Sequence, residues 1–535
     1  MSGTQDSARG RWVSALRASR SGRDDELERE RAMTFLSALA SRGERVAAQR
    51  PWPRIVVDAK TWRQAVLGIA AGEAMLSSLW SDGEAVHLAL VSEDAPQLLV
   101  MSLPCPERRF PSVAVTHPPA LRLERAIADL YGLEAEAGPD ARRWLDHGRW
   151  GVRHPLASAE TASAAGDAYV FHPADGAALH QIPVGPVHAG IIEPGHFRFT
   201  CNGEAVVRLE ERLGYVHKGT DGLLRGASLE KAARLAGRVS GDSTVAYAMA
   251  FARAVEAALG LEPPPRAVLL RALMAELERL ANHFGDVGAI CNDASFSLIH
   301  AHCGILREHV LRVADASFGH RLMMDRVVPG GVAADIAAEG LRSVPGLVRT
   351  IRRRFPELVE LYDSTASLQN RTITTGILTR ELARQYGAGG YIGRASGRAF
   401  DARKQPGYPP YPDLRFETPV RQEGDVDARV WVRILEVGQS LALIEQVLER
   451  LRPGPIRSDA EKPGGGEGLA LVEGFRGDIL AWVRLAGDGT LARCHLRDPS
   501  WFQWPLLEAA IEGNIVADFP LCNKSFNCSY SGHDL

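Results

Sequence analysis

Apolar residues recur every three to four positions over much of the second half of this 535-residue chain. The pattern runs through residues 226–321 and returns in residues 335–385 and in Ala428–Leu451, with Pro263–Pro265 as a clear break. This spacing is typical of helices that bury one face against a shared core. We therefore predict a bundle of long helices as the main body of the protein.

Apolar positions that alternate with polar ones mark two groups of predicted strands. The first group has two predicted strands, separated by Thr61–Asp82, which has helical spacing. The second group has three, and a Gly-Asp-Gly turn separates its last two. The predicted strands are Arg54–Lys60, Ala85–Ser92, Leu469–Gly474, Ile479–Ala486 and Leu491–Asp498. Together the patterns predict an α+β fold, in which a small N-terminal domain of helices and sheet precedes a large, mainly helical bundle domain with peripheral β-strands.

Composition divides the chain into four predicted parts. Residues 1–50 are rich in charge, with Leu and Ala at helical spacing, which predicts a charged helical extension. Residues 157–180 are mostly small and polar and are interpreted as a linker. This linker separates a predicted domain of residues 51–156 from one of residues 181–535.

Overall composition excludes several classes of protein. Apolar residues make up 45% of the chain and charged residues 24%, as in ordinary globular proteins, and a net charge of −3 offers no support for nucleic-acid binding. Seven cysteines, none in a CxxC pair, indicate a reducing compartment and argue against an iron–sulfur cluster in this chain. No signal peptide or membrane-spanning run is predicted, so we expect any membrane association to depend on partner subunits.

A polar cluster between Gly185 and Ser243 is the strongest candidate for chemistry. Glycines and prolines interleave with the polar residues, and an Ala-rich helix is predicted to begin directly after Ser243. Polar loops that lead into a buried helix commonly frame a pocket. The cluster contains His188, Glu193, His196, His217 and Asp242.

Two other patterns are interpreted as structural. Gly387–Gly393 resembles a dinucleotide loop, but Ile392 stands where the third glycine is needed, and no phosphate-binding GxxxxGK motif exists. The group His300, His302, Cys303 and His309 does not share one helical face, and no second pair has zinc-site spacing. We therefore predict no metal site and no cofactor bound by this chain.

From Gly185 onward, the motifs together resemble the large subunit of group 4 nickel–iron hydrogenases and the related D subunit of respiratory complex I. The closest pattern is the fused subunit of formate-hydrogenlyase and hydrogenase-4 type complexes. The segments that carry this resemblance are Gly185–Phe199, Glu276–Gly288, Leu306–Val332, Arg394–Tyr408, Gly424–Ser440 and the C-terminal stretch from Gly513. The resemblance implies that residues 181–535 form a D-like domain.

Residues 123–156 resemble the C subunit of complex I, which makes residues 51–156 a C-like domain. From the residues themselves we predict a helix that ends at Gly132, a turn at Gly138–Asp140 and a second helix after it. Arginines here are expected to brace a domain interface rather than to catalyse. The matching residues are Glu124, Arg125, Asp129, Gly132, Pro139, Asp140, Arg142 and Arg143.

The chain departs from the hydrogenases at their nickel ligands. Ser240 and Ser243 stand at the positions of the first cysteine pair, and Ser529 and Gly532 at those of the second. A nickel–iron centre needs soft thiolate ligands, whereas serine hydroxyls are hard, weakly acidic donors. We therefore expect a hydrogenase-like subunit without nickel chemistry.

The quinone-binding residues of complex I are not matched either. The histidine position falls on Ile192 and the tyrosine position on Gly241, although the first loop histidine is kept as His188. A carboxylate and an imidazole remain, Glu193 and His196, as a candidate catalytic relay, with loop bracing as the alternative for Glu193. The candidate residues for lining an acceptor cavity are His188, Arg238, Ser240, Asp242 and Ser243.

The resemblance implies a peripheral subunit of a membrane-associated, complex I-like oxidoreductase on the cytoplasmic face of the inner membrane. Its implied partners are a small iron–sulfur subunit, a ferredoxin-like subunit and antiporter-like membrane subunits, with the iron–sulfur clusters in the partners. Electrons from NADH or formate would pass to an acceptor, a quinone by analogy, at the interface of this chain and drive ion movement. The alternative is a cofactorless structural or coupling subunit that catalyses nothing itself.

Overall fold

The computed structural model describes residues 35–93, 95–157, 161–162, 168–189, 192–459 and 464–535. Most of the predicted charged extension, residues 1–34, lies outside the described residues. Residues 35–40 are helical, but residues 44–50 form two short strands instead of the predicted helix. Each of these strands pairs with a different sheet, so this segment belongs to the folded body.

The N-terminal domain is built on a five-stranded sheet of order β1-β3-β6-β5-β4. The prediction of one helix over Thr61–Asp82 is wrong in its second half. The helix ends at Ala70, Gly72 adopts a φ of 77°, and the next strand buries all seven of its residues against β5. The elements are β1 (Glu44–Arg45), β2 (Gln49–Arg50), β3 (Arg54–Val56), α1 (Ala59–Ala70), β4 (Met75–Ser81), β5 (Ala85–Val91), β6 (Leu98–Pro104), β7 (Arg109–Pro111), α2 (Leu121–Tyr131) and β8 (Glu134–Glu136).

The segment after α2 differs from the prediction in an informative way. Gly132 ends the helix in the left-handed region, as predicted, but no second helix follows among residues 138–151. The backbone N–H groups of Trp144, Leu145 and Asp146 all donate to one carboxylate oxygen of Asp129 instead. A buried carboxylate that takes three amide donors holds this stretch as a loop, because those amides are then satisfied without a helix.

A three-stranded antiparallel sheet of order β11-β12-β13 connects the two domains. Described residues of the predicted linker pack against the sheet and against α2: Tyr169 lies under the guanidinium of Arg212 and accepts a hydrogen bond from Arg125 at 3.1 Å, and Phe171 lies under the guanidinium of Arg198. The strands in this region are β9 (Val152–Arg153), β10 (Thr161–Ala162), β11 (Leu179–Val184), β12 (His196–Asn202) and β13 (Ala205–Arg212).

The predicted helical bundle forms the centre of the second domain. Its longest helices, α6, α7, α8 and α12, pack along one another around a single apolar core. The segment that resembles a dinucleotide loop, Gly387–Gly393, leads into a short helix, Gly390–Ala395. The elements are α3 (Thr220–Leu224), α4 (Leu229–Ala236), α5 (Thr244–Leu259), α6 (Pro265–Asp293), α7 (Ser297–Phe318), β14 (Val327–Val328), β15 (Gly331–Val332), α8 (Ala338–Ser364), α9 (Ala366–Thr372), α10 (Arg380–Gln385), α11 (Gly390–Ala395) and α12 (Val426–Arg450).

The predicted C-terminal strands form a sheet of order β18-β17-β16-β2, in which β2 comes from the N-terminal segment. Gly468 lets α5 approach this sheet closely, because a Cβ there would lie 1.8 Å from the carbonyl oxygen of Ala254. The elements are β16 (Gly466–Gly474), β17 (Gly477–Leu485), β18 (Leu491–Arg497), α13 (Ser500–Ala510), α14 (Phe519–Phe526) and α15 (Tyr530–Asp534). The predicted α+β class is thus confirmed.

None of the helices in the described ranges is long and apolar enough to cross a membrane.

Candidate functional site

Three distant stretches of the chain converge at the start of α5. The turn of residues 240–243 leads into that helix, residue 529 begins the C-terminal helix α15, and the β16–β17 hairpin brings its tip alongside both. The close approach of α5 to β16 sets the position of this hairpin tip. The candidate site is therefore assembled by tertiary packing, and the turn of residues 240–243 lies more than 200 positions from the other two segments in the chain.

The two serines at the predicted ligand positions lie in direct contact. Ser240 Oγ and Ser529 Oγ are 2.9 Å apart, and both residues are buried. Ser240 Oγ also donates to Asp242 Oδ1 at 2.8 Å, while Ser529 Oγ accepts the backbone N–H of Gly532 at 2.9 Å and so caps α15. These hydroxyls form a continuous hydrogen-bonded chain that ends on a carboxylate.

That carboxylate is held by an arginine at the hairpin tip. Arg476 Nη1 donates to Asp242 Oδ1 at 2.8 Å, Nη2 donates to Oδ2 at 2.5 Å, and the Nε–H is donated to the Asn527 carbonyl at 2.6 Å. Burial acts to raise the pKa of Asp242, but the guanidinium outweighs it, so that the pKa lies below its ordinary value. Asp242 is therefore ionised at neutral pH and paired bidentately.

Arg476 is not among the residues that the sequence motifs single out. Its only signal is a single arginine between Phe475 and Gly477, at the tip of a hairpin whose strands are apolar. The local pattern cannot show which carboxylate this arginine meets, since Asp242 lies 234 positions away.

Gly532 borders the same site, and no side chain fits there. A Cβ at Gly532 would lie 2.4 Å from Asp498 Oδ2 and 2.9 Å from Ser529 Oγ. Asp498 is itself fixed, because Tyr247 donates its hydroxyl to Oδ2 at 2.5 Å and the Ser500 N–H donates to Oδ1 at 2.8 Å. A fully buried carboxylate thus fills the space in which a cysteine side chain would begin.

Lys218 ties the C-terminal segment to the loop before α5. Its Nζ donates to the carbonyl of Ser531 at 2.9 Å and to that of Val239 at 3.3 Å. Burial lowers the pKa of Lys218, and the carboxylate of Glu193 acts in the opposite direction. The ammonium therefore lies beside the serine pair. It links the two segments that carry Ser240 and Ser529.

The two predicted relay residues lie near this site but do not meet. Glu193 is exposed, and its Oε2 accepts the Ser531 N–H at 3.0 Å. His196 is buried in β12, and its Nδ1 contacts the Gly185 carbonyl at 3.2 Å. Burial lowers the pKa of His196. Among the described residues no hydrogen bond joins Glu193 to His196, so a relay between them would need an intervening group.

The remaining predicted residues divide into two groups. His188 lies on the same loop, where its Nε2 contacts the Gly195 carbonyl at 2.8 Å, and Ser243 Oγ donates to Asp242 Oδ1 at 3.3 Å. Arg238 instead lies at the surface and forms a bidentate pair with Asp325 at 2.7 Å. The structure therefore brings Ser240, Asp242 and Ser243 together and leaves Arg238 outside.

The two positions at which complex I carries its quinone-binding histidine and tyrosine, Ile192 and Gly241, have no polar side chain here. Ile192 is partly exposed, and a Cβ at Gly241 would have no heavy atom within 4 Å. Below Asp242 a narrow pocket reaches the buried Glu278, whose pKa burial raises to about 8 although it accepts the N–H groups of Val245 and Ala246. Within the described ranges, no group of three or more His, Cys, Asp or Glu side chains is arranged to hold a metal ion.

Two regions of this chain match known protein families, and whole-chain comparison finds relatives at just over 30% identity. Residues 296–464 match the 49 Kd subunit and residues 56–164 the 30 Kd subunit of respiratory-chain NADH dehydrogenase. Hydrogenase-4 component G of Escherichia coli (strain K12) is 32% identical over 464 residues, which cover 84% of this chain and 80% of that protein. Formate hydrogenlyase subunit 5 of the same organism is 31% identical, and the match covers 79% of this chain and 77% of the relative.

A solved structure of the membrane-bound sulfane sulfur reductase, described as an archaeal respiratory membrane complex, contains a chain of similar fold. The TM-score is 0.64 at 27% identity, and the match covers 68% of this chain and 100% of that one. The motif-based resemblance over the second domain and the C-like segment is thus matched by independent comparisons of sequence and of fold.

Proposed function

Because this chain belongs to the family of complex I-like and group 4 hydrogenase-like large subunits, in the form that joins the 30 Kd and 49 Kd parts, we propose that it is a peripheral subunit of a membrane-associated oxidoreductase. In this proposal it docks against a small iron–sulfur subunit, a ferredoxin-like subunit and antiporter-like membrane subunits at the cytoplasmic face. Electrons reach an acceptor beside the serine pair, and their transfer is coupled to ion movement without nickel chemistry.

The observation that carries this proposal is the contact between Ser240 and Ser529. Two positions that resemble metal-ligand positions converge in the fold, but both carry serine hydroxyls, whose Oγ atoms hydrogen-bond each other at 2.9 Å. Soft thiolate donors are replaced by hard oxygen donors, and Asp498 blocks the fourth position at Gly532. The donor set therefore does not fit a nickel–iron centre.

The polar groups that remain suit the handling of charge at an acceptor. Arg476 and Lys218 place two cations beside the serine hydroxyls, and fixed cations stabilise negative charge that develops during reduction. Glu193 and His188 lie on the adjoining loop as proton donors or acceptors. A quinone is the acceptor class that similarity to complex I favours, and NADH or formate is the donor class.

A second candidate function is a cofactorless coupling subunit that moves with its neighbours and contacts no acceptor. The specific observation that favours it is that each of the three side-chain nitrogens of Arg476 already donates a hydrogen bond, to Asp242, Ser243 or Asn527. Neither quinone-type position carries a polar side chain. This candidate also predicts no nickel, so metal content does not separate the two.

Acceptor-dependent turnover of the assembled complex separates them. The complex is captured through a tag on this chain, and its turnover is compared between the native chain and Lys218→Met. A directly participating ammonium predicts normal assembly with turnover at least tenfold lower, since one charge contact in a desolvated site contributes on this scale. Unchanged turnover in an assembled complex favours the coupling subunit.

The matched control is Asp325→Asn, which removes a charge from the exposed pair with Arg238 and is expected to leave turnover unchanged. Elemental analysis of the same preparation tests the metal prediction. Stoichiometric nickel, or hydrogen evolution, would show that the proposed chemistry is wrong.

A further inference from the structure

A fully buried cluster of charged side chains lies behind the β16–β17 hairpin, where α6, α11, α12 and β16 meet. Each member is at most 2% exposed. Such a cluster is stable only if nearly every charge is compensated, because the surrounding interior solvates charge poorly. Its members are Glu276, Arg279, His283, Arg394, Asp401, Arg403, Glu436 and Glu473.

Most of its members are strongly paired. Arg403 donates to Asp401 at 2.7 Å and to Glu276 at 3.0 Å. Arg394 donates its Nε–H to Glu436 Oε1 at 2.7 Å and an Nη1–H to Glu473 Oε1 at 2.8 Å. These four contacts are charge-assisted hydrogen bonds between buried side chains.

The histidine and the third arginine complete the cluster. His283 Nε2 contacts Glu436 Oε2 at 2.7 Å. Arg279 lies 3.3 Å from Glu276 and donates to the backbone carbonyls of Glu473 and Gly474 at 3.0 Å.

The cluster is not electrically balanced. Four carboxylates face three guanidinium groups, so one negative charge lacks a permanent partner unless a proton is bound. Several charged groups adjoin the cluster. They include the pairs Asp478–Arg497 and Asp286–Arg433, and Arg253, which lies over the ring of Tyr408 at 4.8 Å. Glu278 interacts with Arg279 and accepts the backbone N–H groups of Val245 and Ala246.

The geometry of the pairs indicates where the missing proton resides. Glu276, Asp401 and Glu436 each accept at least two hydrogen bonds from side-chain N–H or O–H groups. Those donors are Arg403, Tyr411 and Ser440 for Glu276, repeated contacts from Arg403 for Asp401, and Arg394 with His283 for Glu436.

Glu473 has weaker support. Its Oε1 accepts from Arg394, and within the described ranges its Oε2 accepts only the backbone N–H of Ala402, at 3.0 Å. Among the described residues His283 Nδ1 has no hydrogen-bond partner, so a second proton on that ring would be unsatisfied. The least compensated acceptor in the cluster is therefore Glu473.

We propose that Glu473 is a proton-binding site that holds one exchangeable proton and restores neutrality to the buried cluster. Burial, together with the nearby charge of Asp401, raises the pKa of Glu473 to about 7, and burial lowers the pKa of His283. The proton is taken from and returned to solvent, and the step is the conversion of one carboxylate to one carboxylic acid without electron transfer.

The Glu473 proton site is connected to the serine pair through the β16–β17 hairpin. Glu473 lies three residues before Arg476 on the same hairpin, and Arg476 holds Asp242. An added negative charge beside that arginine would raise the proton affinity of Glu473 through space. This link rests on the proposed function, whereas the proton site itself stands on the geometry of the cluster alone.

Infrared titration of the full-length chain tests the site. At pH 6 the native protein should show a carboxylic-acid carbonyl band that disappears with a midpoint near pH 7, and Glu473→Gln should lack this component. The assignment is made by difference, because Glu278 and Asp221 also have pKa values raised by burial, to about 8 and about 7. The control is Glu445→Gln, an exposed glutamate paired with Arg352, and it should keep the band.

A band of unchanged size in a folded Glu473→Gln variant would overturn the proposal, as would a native chain whose band does not titrate between pH 5 and pH 9. If the Gln variant does not fold, Glu473→Asp preserves the acid and must show a shifted band that still titrates. None of these outcomes depends on acceptor turnover, so failure of the proton site and failure of the proposed function can be told apart.

Discussion

Replacement of Gly532 by alanine is the sharpest test of how the candidate site is closed. The added Cβ would lie 2.4 Å from Oδ2 and 2.7 Å from Cγ of Asp498, and 2.9 Å from Ser529 Oγ. Real Cβ atoms do not approach other heavy atoms this closely, so either the C-terminal helix or the aspartate must move. The perturbation therefore adds one methyl group to a fully packed region.

The expected cost follows from what holds Asp498. Overpacking a buried region by one methyl group costs about 1–3 kcal/mol. Moving the Asp498 carboxylate would also weaken its hydrogen bonds from Tyr247 and Ser500, which adds about 1–3 kcal/mol for a buried acceptor left unsatisfied. We therefore expect Gly532→Ala to lower the free energy of unfolding by about 2–6 kcal/mol.

Urea unfolding followed by pulse proteolysis measures this loss as a lower midpoint. Gly241→Ala is the matched control, because a Cβ there meets no heavy atom within 4 Å, and it should change stability by less than about 1 kcal/mol. Gly532→Cys should behave like Gly532→Ala. Restoring cysteine at the other three positions should therefore fail to create a nickel site while Asp498 remains.

A double variant shows whether Asp498 is the cause. If the clash is real, Gly532→Ala should cost at least 1 kcal/mol less in an Asp498→Ala background than in the native chain, since the carboxylate is then absent. Equal costs in both backgrounds, or a Gly532→Ala variant as stable as Gly241→Ala, would refute the reasoning.

Three further predictions concern charged groups. A double-mutant cycle with Arg476→Met and Asp242→Asn should give a coupling free energy of about 2 kcal/mol. This lies between the coupling energies of buried and of surface ion pairs, because the Asp242 side chain is 35% exposed. Since the folded pKa of Asp242 is lowered, this coupling should be present above about pH 4 and disappear as the pH falls through the folded pKa; purely additive effects would contradict it. Arg142→Met, which removes the 2.7 Å contact to Glu210 between the domains, should lower the unfolding free energy by about 1–2 kcal/mol in the same urea assay. Glu193→Gln should leave the complex assembled on a native gel and reduce acceptor-dependent turnover about a hundredfold if Glu193 relays protons, whereas unchanged turnover would assign it to loop bracing.

Much of the protein could be predicted from the sequence, because the relevant signals are local. Helical periodicity identifies the long helices of the bundle, and two-residue alternation identifies the three C-terminal strands. The serines at the ligand positions could also be assigned from the chain alone, since each lies inside a short motif whose neighbours set the alignment. The family and the α+β class rest on these local signals and are confirmed.

Other features were decided only by tertiary structure. Met75–Ser81 continues an apolar run that suits a helix as well as a strand, and pairing with β5 makes it a strand. The loop after Gly132 is irregular because the Asp129 carboxylate accepts hydrogen bonds from its backbone N–H groups. The donors lie 15 to 17 positions after Asp129 in the chain. In both places the local sequence permits two conformations, and a partner outside the segment selects one.

The candidate site shows the same division most clearly. Motifs place Ser240, Asp242 and Ser529 in it, but they cannot show that Arg476 neutralises the aspartate or that Asp498 fills the space at Gly532. A buried charge needs a partner within about 4 Å, and its energy is the same whether that partner is 2 or 234 positions away in the chain. The sequence by itself therefore determined which charged and polar groups are present, and only the packing of α5 against the β16–β17 hairpin decided which of them meet.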